Sequence, residues 1–74
     1  MVKVYSTPTC PYCIAVKKFL EENKVEFENL DVSANNDIAV EMTEKSGQMG
    51  VPVLDIDGTV IIGFDQEAIN NALG

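Results

Sequence analysis

Thr9-Cys10-Pro11-Tyr12-Cys13 is the stretch on which the reading of this chain turns. It holds both cysteines, and the chain has no histidine. Proline is over-represented at the first position of a helix, where its missing N–H costs nothing and its fixed φ already suits the coil. With Pro11 there, Cys10 becomes the N-cap and Cys13 the third helical residue. The Cys10 sulfur then faces the unpaired N–H groups of Tyr12 and Cys13, at the positive end of the helix dipole. Cysteines so placed, or in Cys-X-X-Cys motifs, ionise at about 3.5 to 7.5 instead of about 8.5. The expectation is a redox dithiol: Cys10 the nucleophile, Cys13 the resolving thiol, with Pro11 and Tyr12 tuning the pair.

Three plainer readings stand beside it. A structural disulfide closing so small a loop adds about 2 kcal/mol on the chain-entropy model. Structural zinc takes four ligands where one chain offers two thiols, although two chains could share a metal or an iron–sulfur cluster. Two inert buried thiols are the third, and the helix-start position argues against them. A strand before the pair and a helix after it favour the redox reading.

Working outward, residues 1 to 6 carry the β-rich run Val2, Val4 and Tyr5 and read as a first strand, with Thr7-Pro8-Thr9 as the turn into Cys10. From Pro11 to about Asn23, Val16, Phe19 and Leu20 fall at i, i+3, i+4, with Lys17, Lys18, Glu21 and Glu22 on the wet side. Val25 to Val32 alternates, but its apolar residues slip register near Asn29, so only part need be strand. Strand, helix, strand with a short helix implies a right-handed parallel βαβ unit, with the cysteines at the carboxyl end of the first strand. A second helix runs from the cap candidates Ser33 to Asn36 to about Lys45, and Gly47 stops it. Gln48-Met49-Gly50 is a loop. Val53 to Ile56 and Thr59 to Ile62 form a hairpin about Asp57-Gly58. Asp65 then caps a last helix with Ala68, Ile69, Ala72 and Leu73 on one face.

Seventy-four residues are expected to form one domain, 1–74, whose core is just sufficient. Five lysines against twelve carboxylates, net charge −7, argue against nucleic acid and anionic membrane surfaces. The apolar runs are too short to span a bilayer, and the alternating N-terminus is unlike a signal peptide. A cytoplasmic location follows as the expectation. There, a Cys pair is more often catalytic than structural.

The order β-α-β-α-β-β-α, with Cys10-Pro11-Tyr12-Cys13 after the first strand, then Val51-Pro52, then Gly63-Phe64-Asp65, resembles the glutaredoxin branch of the thioredoxin superfamily. The resemblance covers essentially the whole chain. It implies an α/β, thioredoxin-like fold: a four-stranded mixed sheet in the order 2-1-3-4 with three helices, and a cis bond between Val51 and Pro52 facing the cysteines. It also implies a thiol–disulfide oxidoreductase acting on protein or glutathione mixed disulfides. Glutathione would be a co-substrate, with no tightly bound cofactor and no metal, and the chain would act as a monomer. Binding residues by similarity are Tyr12, Val51, Pro52, Gly63, Phe64 and Asp65.

The pattern departs from the family in three places. Thr7 stands where a cation is common, Gly50 where threonine precedes Val-Pro, and Ile62 where the corner often has a first glycine. The compact NrdH-type redoxins linked to ribonucleotide reductase relax the same positions. They resemble this chain too, and draw electrons from a thioredoxin-reductase-type flavoenzyme. Both donors remain open at this level.

Overall fold

The computed structural model describes residues 2–74. β1 (Val2–Ser6) is the second strand of a four-stranded sheet and buries four of its five residues. It pairs in parallel with β2 (Glu28–Asp31) and antiparallel with β3 (Val53–Ile56), which pairs antiparallel with β4 (Thr59–Ile62). The sheet order is β2-β1-β3-β4, as the resemblance implied.

The period-2 alternation of strands divides the core by face. Val2, Val4, Leu54, Ile56 and Ile61 point to one side, where Val16 and Leu20 of α1 (Pro11–Glu22) and Ile69 of α3 (Gln66–Leu73) cover them. Tyr5 and Val53 point to the other, beneath Met42 of α2 (Asn36–Ser46). The register slip near Asn29 follows from this division. Val25 and Phe27 pack into the first cluster and Leu30 and Val32 into the second. Only Glu28–Asp31 needs ladder geometry, so the strand is shorter than the alternating run.

The helix ends follow local chemistry. After α1, Lys24 takes a left-handed φ of 57°, Lys24 N–H donates to Glu21 C=O (3.0 Å), and Val25 N–H donates to Leu20 C=O (2.9 Å). That double bond closes the helix by a Schellman turn and delivers Val25 to the core beside Leu20. Of the candidate caps for α2, Asn35 is used, its Oδ1 accepting from Asp37 N–H (3.0 Å). Gly47 ends that helix at φ 74°. At Asp57-Gly58 both residues have positive φ, 49° and 94°, the twist that a two-residue hairpin requires.

Among the described residues α2 is the one helix on its face of the sheet, and a polar chain extends the cover. The buried Tyr5 hydroxyl donates to Glu41 Oε2 (2.8 Å), and Lys45 Nζ donates to that hydroxyl (3.1 Å) and to Asp55 Oδ2 (2.6 Å). Hydrogen bonding to Lys45 holds the Asp55 carboxyl below its ordinary range, and burial pushes the Tyr5 phenol up. The ion pair joins α2 to β3 across the sheet. No helix among the described residues is long and apolar enough to cross a membrane.

Candidate active site

The two cysteines occupy the junction of β1 and α1, and both are free thiols. Cys10 is the N-cap, with φ −90° and ψ 113°, and Pro11 opens the helix. Its sulfur accepts the Cys13 N–H at 3.2 Å, and its C=O accepts the Ile14 N–H at 3.1 Å. Of the two amides expected from Pro11 to face the sulfur, those of Tyr12 and Cys13, the hydrogen bond is with Cys13. Cys10 is half-buried. Cys13, one turn inward, is fully buried.

That difference in setting separates the two thiols. Burial pushes the Cys13 thiol up to about 11; its hydrogen bond with the Cys10 sulfur adds to this, while a Thr7 backbone hydrogen bond and the Lys17 charge draw it partly back. Cys13 is therefore protonated at neutral pH while Cys10 stands at the surface. The sign for stability follows. Below its ordinary value near 9 the thiol is protonated in both folded and unfolded chains, and above it the unfolded chain loses the proton first. Folding stability should fall between about pH 9 and 11. Cys13→Ala should flatten that part of a urea-denaturation profile relative to the parent, leaving the Tyr5 contribution, which has the same sign.

Val51-Pro52 is a cis peptide, and it faces the cysteines: Cys10 Sγ lies 3.9 Å from Val51 C=O, within the reach of a weak S–H donor. The loop sits outside the strand ladder, since β3 begins only at Val53. Pro52 C=O accepts the N–H of Gly63 (2.8 Å), tying the cis-proline to the corner after β4. Gly63 has φ 81°, a left-handed value that favours glycine. Asp65 Oδ1 accepts the Ala68 N–H at 3.1 Å and so caps α3. Asp65→Ala should cost about 1 kcal/mol in thermal or chemical denaturation, through loss of that cap.

The structure thus links Cys10, Cys13, Val51, Pro52 and Gly63 through direct contacts, with Cys10, Val51 and Gly63 partly exposed and Cys13 and Pro52 buried behind them. Tyr12 lies on the first turn of α1 and is 67 % exposed. Phe64 is half-buried, its ring edge-to-face on Phe19 with centroids 5.8 Å apart, and packs against the first core cluster. Gln48-Met49-Gly50 is a loop, as the sequence predicts, and within it the Gln48 side chain holds the main chain of Gly50, next to the cis-proline. Its only trace in the sequence is a glutamine two residues before a glycine. Among the described residues no group of three or more His, Cys, Asp or Glu is placed to hold a metal.

A family model described as Glutaredoxin matches residues 2–61, which contain the cysteine pair, the cis-proline and three complete strands. The chain belongs to the glutaredoxin family. An uncharacterized glutaredoxin-like 8.6 kDa protein in the rubredoxin operon of Clostridium pasteurianum is 40 % identical over 73 residues, 99 % of this chain and 97 % of that protein. The crystal structure of the thioredoxin-like protein BC3987 is 32 % identical with a TM-score of 0.90, covering 97 % of this chain and 99 % of that one. The glutaredoxin-like NrdH-redoxin of Escherichia coli is 26 % identical with a TM-score of 0.83, covering 95 % of this chain and 91 % of that one. Membership in the glutaredoxin family makes the chain a thioredoxin-fold redox protein, and its two thiols lie within one helical turn.

Proposed function

We propose that the chain is a cytoplasmic dithiol–disulfide oxidoreductase in which Cys10 attacks and Cys13 resolves. The observation that carries this is the unequal setting of the two sulfurs: Cys10 at the surface accepting a backbone N–H, Cys13 buried and held protonated. The Cys10 thiolate attacks one sulfur of a substrate disulfide, forming a mixed disulfide and expelling the other sulfur as a thiolate that takes up a proton. Cys13 then gives up its proton to water and attacks the Cys10 sulfur. The Cys10–Cys13 disulfide forms and the second substrate sulfur leaves as a thiolate, so two electrons pass from the pair to the substrate. Once Cys10 is in the mixed disulfide, its hydrogen bond no longer raises the Cys13 pKa, which eases the second ionisation.

Substrate would lie extended along Val51, whose main chain stands beside Cys10, as in addition of a strand. By similarity to the family, Tyr12, Gly63 and Asp65 would also meet the substrate, with Phe64 contributing through its main chain. No tightly bound cofactor is needed for this exchange. Protein disulfides are the proposed substrates, the chain acting as a monomer.

Two electron donors fit. Glutathione is the general donor in the family; a thioredoxin-reductase-type flavoenzyme is the second. Thr7 favours the second, because no cation stands there for a glutathione carboxylate. So does the near-complete overlap with NrdH-redoxin, a protein described as having a thioredoxin-like activity profile. Rates of reduction of the oxidised chain by glutathione and by such a reductase with its pyridine nucleotide decide between them. Failure of both to reduce it overturns the oxidoreductase reading.

A further inference from the structure

The cis-proline loop contains a side-chain clamp that the cysteine chemistry does not explain. The Gln48 carboxamide turns back on the chain two residues later and engages both main-chain polar groups of Gly50. Its Nε2 donates to Gly50 C=O at 3.0 Å, and its Oε1 accepts the Gly50 N–H. The two bonds take the N–H and the C=O of one residue, the two groups that a residue of a neighbouring antiparallel strand would engage. The clamp is anchored to the end of α2: Ser46 Oγ lies 2.9 Å from Gln48 C=O and 3.4 Å from both Gln48 nitrogens. A Cβ on Gly50 would sit 2.6 Å from Gln48 Oε1, so the pair closes only over glycine. Gly50 is not at positive φ; what is needed there is absence of a side chain, not unusual backbone.

We infer that Gln48 is a positioning residue for substrate: by occupying both hydrogen-bonding groups of Gly50, it leaves Val51 as the place where an extended substrate backbone can pair beside Cys10. The inference rests on the proposed function, in which Val51 meets substrate. The physical argument is one of register. Free N–H and C=O groups on consecutive residues of an extended loop let an incoming strand pair in more than one alignment, and slipping by one residue turns every side chain over. With Gly50 occupied, the alignment that brings the substrate sulfur to Cys10 has no neighbour to compete with it. The clamp also holds Gly50, and with it the Val51 carbonyl 3.9 Å from Cys10 Sγ. Glycine in place of the family's threonine thereby acquires a reason in this chain.

The test uses reduction of a synthetic peptide containing one disulfide, with dithiothreitol as the electron source. Gln48→Ala and Gly50→Ala should each raise KM about fivefold, the effect of roughly one lost hydrogen bond, with kcat changed less than twofold. Gln48→Ala combined with Gly50→Ala should be no worse than either alone, because both remove one clamp. Gln48→Glu keeps the size and accepts from Gly50 N–H but cannot donate to Gly50 C=O until protonated. Its Gly50 amide resonance should therefore move with pH near the ordinary glutamate range of about 4.3, a titration absent from the parent. Gly50 amide exchange should be slow in the parent and fast in Gln48→Ala, which reads the clamp without activity. Additive effects, an unchanged KM in Gln48→Ala, or equal Gly50 exchange in both would overturn the inference. An inactive parent would instead overturn the proposed function.

Discussion

Cys13→Ser, incubated with a disulfide substrate and no external thiol, is expected to accumulate a mixed disulfide on Cys10, while Cys10→Ser forms none. The reason is geometric. The Cys10 sulfur caps the helix start, half-exposed and beside Val51, and the Cys13 sulfur is fully buried, with its thiol at about 11. A thiol so buried has almost no thiolate at neutral pH and cannot meet a bulky disulfide. It can reach the adjacent sulfur once that sulfur belongs to a mixed disulfide. Turnover should fall on the order of 10³-fold or more in Cys10→Ser. In Cys13→Ser it should persist only where an external thiol can resolve the adduct. Intact-protein mass spectrometry distinguishes the two variants, and an adduct on Cys10→Ser but not on Cys13→Ser would reverse the roles.

Leu20→Ala has the largest expected effect on stability. Leu20 is fully buried at the centre of the first cluster, beneath the sheet and beside Val25 at the helix end. Truncating a buried leucine costs about 2–5 kcal/mol in lost transfer energy and residual cavity. A chain of this length has roughly 4–11 kcal/mol in total, at about 0.05–0.15 kcal/mol per residue. The substitution should leave much of the protein unfolded near its normal melting range, lowering Tm by about 4–8 °C for each kcal/mol lost. Ile14→Ala, on the same helix but 55 % exposed, should change stability by no more than about 0.5 kcal/mol. Urea denaturation of both variants checks the pair, and equal losses would mean that the two-faced core is misassigned.

Pro11 made the helix start legible before any coordinates. The Asp57-Gly58 turn, the Gly47 stop and the Asp65 cap are local for the same reason: each is a preference of one or two residues. The sheet order was reached from family resemblance rather than from periodicity, since alternation says which face a residue takes but not which strand lies beside it. The slip near Asn29 marked that only part of the run after α1 need be strand, but not which part: Val25 and Phe27 alternate like strand residues while serving a helix end and a face of the core, and the ladder takes Glu28–Asp31. The motif position of Phe64 said nothing of its ring, which packs edge-to-face on Phe19, forty-five residues earlier. Gln48 gave no periodic or motif signal, because its partners are the main-chain groups of a glycine.

Local sequence by itself determined where the first and last helices begin, where the second stops and which sulfur caps the first, because caps and turns are decided by a few neighbouring atoms. Tertiary structure alone decided how unlike the two sulfurs are and how the loop before the cis-proline is held. Burial of Cys13 needs the sheet and its helices assembled around it. The register of Val51 against Cys10 joins residues forty-one apart through contacts that no short-range preference encodes.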